Sequence, residues 1–163
     1  MRSDGCSIVE AEGAEALAVV RRLFLEYAAS LEVDLAFQGF AGELAGLPGA
    51  YARPAGGLLL GFEGEEPVGC VAFRPLEPGV SEMKRLFVRP AARGTGWGRC
   101  LAQRVVSEAR AAGYERMRLD SLPSMGAALG LYVGMGFREI PAYRENPVPG
   151  SRFLEFDLRR ARG

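Results

Sequence analysis

A chain of 163 residues, 48% apolar and 25% charged, has the make-up of a single globular domain over residues 1–163. A domain of that size buries roughly 70% of the surface its unfolded form exposes, so it needs neither disulfides nor metals. Its 20 basic residues balance 20 acidic ones, which argues against a nucleic-acid-binding surface, and no apolar run approaches the roughly 20 residues of a membrane span.

Catalytic chemistry is narrowed further by what is missing. There is no histidine, and the three cysteines, Cys6, Cys70 and Cys100, are far apart. A usual zinc site, a Ser-His-Asp triad and a Cys-His pair are therefore excluded, and no metal is expected. The thiols read as incidental and reduced, in a cytoplasmic protein. Residues 1–13 are polar and acidic, without the pattern of a secretory signal. Lys84 is the only lysine, which reads as a compositional bias.

A short strand is predicted around Val9. Over residues 14–31, Leu17, Val20, Phe24, Tyr27 and Leu31 recur at spacings of three and four, the mark of an amphipathic helix. A weaker helix covers 40–47 and stops at Pro48-Gly49. Residues 57–62 read as a buried strand, 63–67 as a hairpin turn, 68–73 as the returning strand and 75–79 as a loop. A strand over 81–88 is stopped by Pro90. A long helix spans 98–112, with Leu101, Val105, Val106 and Ala109 inward and Gly113 closing it. A strand at 116–120, a helix at 125–135 ended by Gly136, and strands at 138–140 and 153–158 complete the order. Strands that first meander and then alternate with helices predict an α/β fold whose mixed sheet holds antiparallel and parallel pairs.

The most informative stretch is Leu86-Phe87-Val88-Arg89-Pro90, followed by Arg93-Gly94-Thr95-Gly96-Trp97-Gly98-Arg99. A buried strand enters a glycine-rich turn that opens into an amphipathic helix. Free N–H groups and the dipole at a helix start favour an anion, and glycines let the main chain approach it. An ordinary strand–helix turn is the plain alternative. A Walker loop would need a terminal Lys-Ser/Thr, and a dinucleotide fingerprint would need Gly-x-Gly-x-x-Gly after a first strand; neither is present.

Arg93, Gly96 and Gly98 match Arg/Gln-x-x-Gly-x-Gly/Ala, and Leu131-Tyr132-Val133-Gly134-Met135-Gly136-Phe137 matches Leu-Tyr-x-x-x-Gly-Phe. On these two motifs, in this order, the chain resembles the GNAT superfamily of N-acetyltransferases, firmly over residues 81–140. The resemblance implies a GNAT fold of about six to seven strands and four helices, splayed around acetyl-CoA as co-substrate. It implies diphosphate contacts from Arg93, Gly94, Thr95, Gly96, Trp97, Gly98 and Arg99, and backbone contacts to the pantetheine arm from Leu86, Phe87 and Val88. It implies, too, direct attack on the thioester by an amine, in a small molecule or a peptide. Tyr132 matches the tyrosine that serves the departing sulfur. Its plain alternative is a core aromatic.

For the base, Glu82 comes first, expected to share a strand face with Lys84, Leu86 and Val88 unless a bulge intervenes. The alternative is an exposed carboxylate paired with Lys84 or Arg85. Asp120, at the end of the fifth strand, is the second candidate, and its alternative is a loop anchor. Many relatives carry an asparagine just after that strand. Here Met125 stands there, with Ser124 as a partial substitute contact.

Acceptor specificity is expected from Glu26, Tyr27, Glu32, Asp34 and Phe37 on one side and Tyr143, Arg144, Glu145 and Asn146 on the other. The proline-bounded loop at 140–150 is expected to form one wall of that pocket. The resemblance also implies a homodimer through the C-terminal strands. The competing class is a non-catalytic acyl-CoA-binding or sensing module.

Overall fold

Seven strands hydrogen-bond into one sheet in the order β1-β2-β3-β4-β5-β7-β6. They are β1 (Ser7–Glu10), β2 (Gly57–Glu63), β3 (Glu66–Glu77), β4 (Val80–Val88), β5 (Arg116–Ser121), β6 (Arg138–Ile140) and β7 (Arg152–Asp157). Four α-helices accompany them: α1 (Gly13–Ser30), α2 (Phe40–Ala45), α3 (Trp97–Ala111) and α4 (Gly126–Met135). The structure, a computed structural model, describes residues 6–31 and 34–159, without the side chains of Phe37 and Gln38. Glu32 and the Phe37 side chain, both expected near the acceptor, lie outside the described residues.

Side-chain alternation divides the core between the two faces of the sheet. Leu59, Val71, Phe73, Met83 and Met117 pack with Leu101, Val105 and Ala109 of α3. Leu58, Leu60, Cys70, Ala72 and Phe87 pack with Val20, Leu23 and Phe24 of α1. Each fully buried aliphatic side chain contributes about 1.5–3 kcal/mol relative to exposure. Among the described residues, no helix is long and apolar enough to cross a membrane.

Three local outcomes differ from expectation. First, β3 runs through Pro75 to Glu77, where a loop is expected. β2 pairs with β3 only as far as Phe73, so Pro75 faces no ladder on that side and its missing N–H costs nothing there. Second, Cys6 and Cys100 meet as a disulfide across 94 residues of sequence, while Cys70 stays free and buried. The incidental-thiol reading therefore holds for Cys70 alone. Burial pushes the Cys70 thiol up, which leaves it an inert thiol.

The third outcome shapes the site. Cys70 pairs with Phe87 and Ala72 with Lys84, so β4 carries one residue more than β3 over this interval. The extra residue is a β-bulge, at which Arg85 adopts φ +62°. The bulge resets the alternation: Met83, Leu86 and Val88 pack toward α3, Phe87 packs toward α1, and Lys84 lines a cavity with Tyr27 of α1. The single face expected for Glu82, Lys84, Leu86 and Val88 is corrected accordingly.

Candidate functional site

β4 and β5 are the only parallel pair among the described strands, and they stay together only from Val80↔Arg116 to Glu82↔Arg118. Beyond that point they part, although β4 continues to Val88 and β5 to Ser121. The far half of β4 therefore has no partner strand on its β5 side, a template for an extended ligand, with the Val88 carbonyl engaged by Arg93 Nε. The opening is a cleft of about 610 Å³, within the range of small-molecule sites. Leu86, Phe87 and Val88 form its β4 wall, and Ser124 and Met125 line the other side with α4.

One end of the cleft is the glycine turn. Gly94 and Gly96 adopt φ +80° and +92°, a conformation that a side chain would strain. α3 starts at Trp97, and its first intrahelical bond runs from Cys100 N–H to the Gly96 carbonyl at 3.1 Å. The N–H groups of Trp97, Gly98 and Arg99 are thus left at the positive end of the helix dipole. The turn is held rigid from below. The Trp97 indole is buried, donates to Glu63 Oε2 at 2.8 Å and packs against Gly61, where an added Cβ would sit 2.6 Å from the ring. Trp97 thus offers its main chain to the cleft while its ring serves as an anchor. Thr95 Oγ1 donates to the Ala92 carbonyl, and Arg93 Nε to the Val88 carbonyl at 2.9 Å. Diphosphate fits this donor set, and the apolar walls beyond it fit a pantetheine arm.

Toward the core, a cavity of about 40 Å³ shares Tyr27, Leu86, Met125 and Ala128 with the cleft. Tyr132, Asp120 and Lys84 line it. Tyr132 is 7% exposed, and burial raises its phenol pKa, so the proton is retained. The structure thus brings Tyr132 and Asp120 to the same space.

Glu82 has a different setting. It is fully buried, and its oxygens are occupied: Oε1 by Arg74 at 3.0 Å, Oε2 by the Tyr143 hydroxyl at 2.7 Å and Arg144 Nη2 at 2.6 Å. Lys84, Arg144 and Tyr143 outweigh the burial that would raise its pKa, and they hold the carboxyl below the usual range. An exposed carboxylate paired with its strand neighbours is therefore not what the fold provides. The partners come from β3 and from the loop after β6. That loop folds back over the site, and Asn146 Nδ2 reaches Asp120 Oδ2 at 3.3 Å.

Two acids expected near the acceptor are spoken for. Glu26 is held by Arg89 in a two-pronged pair at 2.8 and 2.7 Å, and Asp34 accepts from the Ala36 N–H at 2.9 Å. Arg85 is similarly engaged by Glu43 at 2.9 and 2.8 Å. Sequence reasoning gave Lys84 no role, although its position on β4 beside Glu82 placed it on the site's face.

This geometry defines an open cleft with a helix N-terminus at one end and apolar walls beyond it, and comparison with known proteins gives the chain a family. The Acetyltransferase (GNAT) family model matches residues 17–137. An uncharacterised N-acetyltransferase of Schizosaccharomyces pombe is 35% identical over 85% of this chain and 86% of its own length. A GNAT-family acetyltransferase structure from Staphylococcus aureus superposes with a TM-score of 0.78 at 19% identity, covering 94% of this chain and 99% of the other. A Salmonella typhimurium acetyltransferase structure containing acetyl-CoA superposes with a TM-score of 0.67 at 20% identity, covering 98% and 97%. The chain belongs to the GNAT family and is an acetyl-CoA-dependent acyltransferase.

Proposed function

We propose that the chain moves the acetyl group of acetyl-CoA directly to a primary amine, on a small molecule or a peptide, without an acyl-enzyme. The observation that carries this reading is that the large cleft and the small cavity share Tyr27, Leu86, Met125 and Ala128 as walls, and that the cavity is lined by both a phenol, Tyr132, and a carboxylate, Asp120. The N–H groups at the start of α3, with Arg93 and Arg99 beside them, hold the diphosphate. The edge of β4 from Leu86 to Val88, which has no partner strand on its β5 side, aligns the pantetheine arm, which directs the thioester into the gap between β4 and β5. Holding the two reactants in register is itself a large part of the acceleration.

Within the cavity, Tyr132 hydrogen-bonds the departing sulfur and gives it a proton, a role suited to a phenol that stays protonated at neutral pH. Asp120 is the carboxylate beside the reaction, and Glu82 anchors Tyr143 and Arg144 so that the 140–150 loop forms the acceptor wall. The reading is tested by thiol release from acetyl-CoA across a panel of amines, polyamines, amino acids and short peptides. The expected result is release that requires an amine acceptor and saturates with it. Tight CoA binding without release for any acceptor would favour the non-catalytic sensing module.

A further inference from the structure

We propose that Lys84, the chain's single lysine, receives the proton that the acceptor amine loses as it attacks in the small cavity between β4 and β5. This rests on the acetyl-transfer reading above. Lys84 is 5% exposed and lines that cavity together with Asp120 and Tyr132, on a strand whose bulge begins one residue later. The cavity has room for an amino group or a bridging water. Ser121, on the same wall, has a buried hydroxyl that makes no hydrogen bond to any described residue.

The competing acceptor of the proton on β4 is Glu82, and all its strong sites are taken by Arg74, Tyr143 and Arg144. The charged groups that act on Lys84 are Glu82 and Arg85 on β4, Arg74 on β3 and Asp120 on β5, while Tyr27 on α1 and Tyr132 on α4 line the same cavity. Burial is the largest influence and lowers the ammonium pKa to about 8, with Arg85 and Arg74 pulling the same way and Glu82 and Asp120 opposing. The phenol in the same cavity is pushed the other way. Two groups driven apart by one environment divide the roles of base and acid.

The step balances. The amine nitrogen bonds to the acetyl carbon, the carbon–sulfur bond breaks, and the sulfur takes the Tyr132 proton. Lys84 Nζ takes the amine's proton and returns it to the tyrosine oxygen across the shared cavity. Asp120 stabilises the ammonium formed in between.

Protein grown with lysine labelled at 15Nζ carries a single labelled side-chain amine, whose titration is read directly by NMR. The expected midpoint lies near 8, and a midpoint at the free-lysine value of about 10.4 would overturn the assignment. Lys84→Met and Lys84→Arg are then compared with wild type in thiol release across pH. Both are expected to lose about 100-fold or more in kcat, with acetyl-CoA affinity retained, and both lose the acidic limb near pH 8. Arginine keeps the charge but cannot release it, so activity in Lys84→Arg near wild type would also overturn the proposal. Wild type that releases thiol while both variants match it defeats Lys84 alone. Wild type that releases none with any acceptor defeats the transfer reading and this step with it.

Discussion

Tyr132→Phe is expected to lower kcat by about 100-fold while leaving acetyl-CoA affinity within about twofold. The ring packs in the core beside Phe137, with centroids 5.6 Å apart, and phenylalanine keeps that contact. Only the hydroxyl is lost, and in the proposed reaction it acts on the departing sulfur rather than on the resting thioester. Its effect therefore falls on the chemical step. Because burial raises the phenol pKa, the proton stays available through the mildly alkaline range, and no alkaline loss of activity is expected there. Steady-state kinetics with a parallel binding titration checks this. An unchanged kcat would place the sulfur's proton donor elsewhere, and a lost affinity would make the hydroxyl a binding group.

Glu82→Gln is expected to cost about 2–4 kcal/mol of stability, somewhat below the 3–5 typical of breaking a fully buried pair. The reduction follows from Arg74 and Arg144, whose side chains are 28% and 27% exposed and can turn toward water. In a chain of this size that corresponds to a fall in Tm of roughly 5–15 °C. The pH dependence has a definite sign. The folded carboxyl lies below its ordinary value, so its contribution is present above the unfolded pKa and fades as pH falls through the folded one. Wild type should thus destabilise more steeply in acid than Glu82→Gln. Released from the carboxylate, Tyr143 and Arg144 should free the 140–150 loop to proteolysis. Calorimetric melts across pH with limited proteolysis test this. A variant that melts like wild type but loses kcat would make Glu82 a base rather than an anchor.

Much of the architecture was legible because its signals are local. The spacing of Leu17, Val20, Phe24, Tyr27 and Leu31 marks α1, and the turn at Gly94 and Gly96 marks the start of α3. What escaped depends on contacts distant in sequence. The bulge at Arg85 appears only when β4 is set against β3, and it decides which side chains share a face. Glu82 is buried and ion-paired because Arg74 and Arg144 arrive from elements before and after it. Spacing likewise could not reveal that Cys6 and Cys100 meet, since β1 and α3 come together only through the folded sheet. Lys84 looked like a compositional remnant until the parting of β4 and β5 placed it on a cavity wall.

In the proposed reaction the start of α3 grips the CoA diphosphate and so aims the thioester between β4 and β5. Calorimetric titration with acetyl-CoA and with S-acetyl-pantetheine, which lacks the diphosphate and nucleotide, tests it most directly. Several charge-assisted hydrogen bonds of about 1.5–3 kcal/mol each predict at least about 100-fold tighter binding of acetyl-CoA. Equal affinity for the two, or no binding of acetyl-CoA at all, would contradict that role of α3.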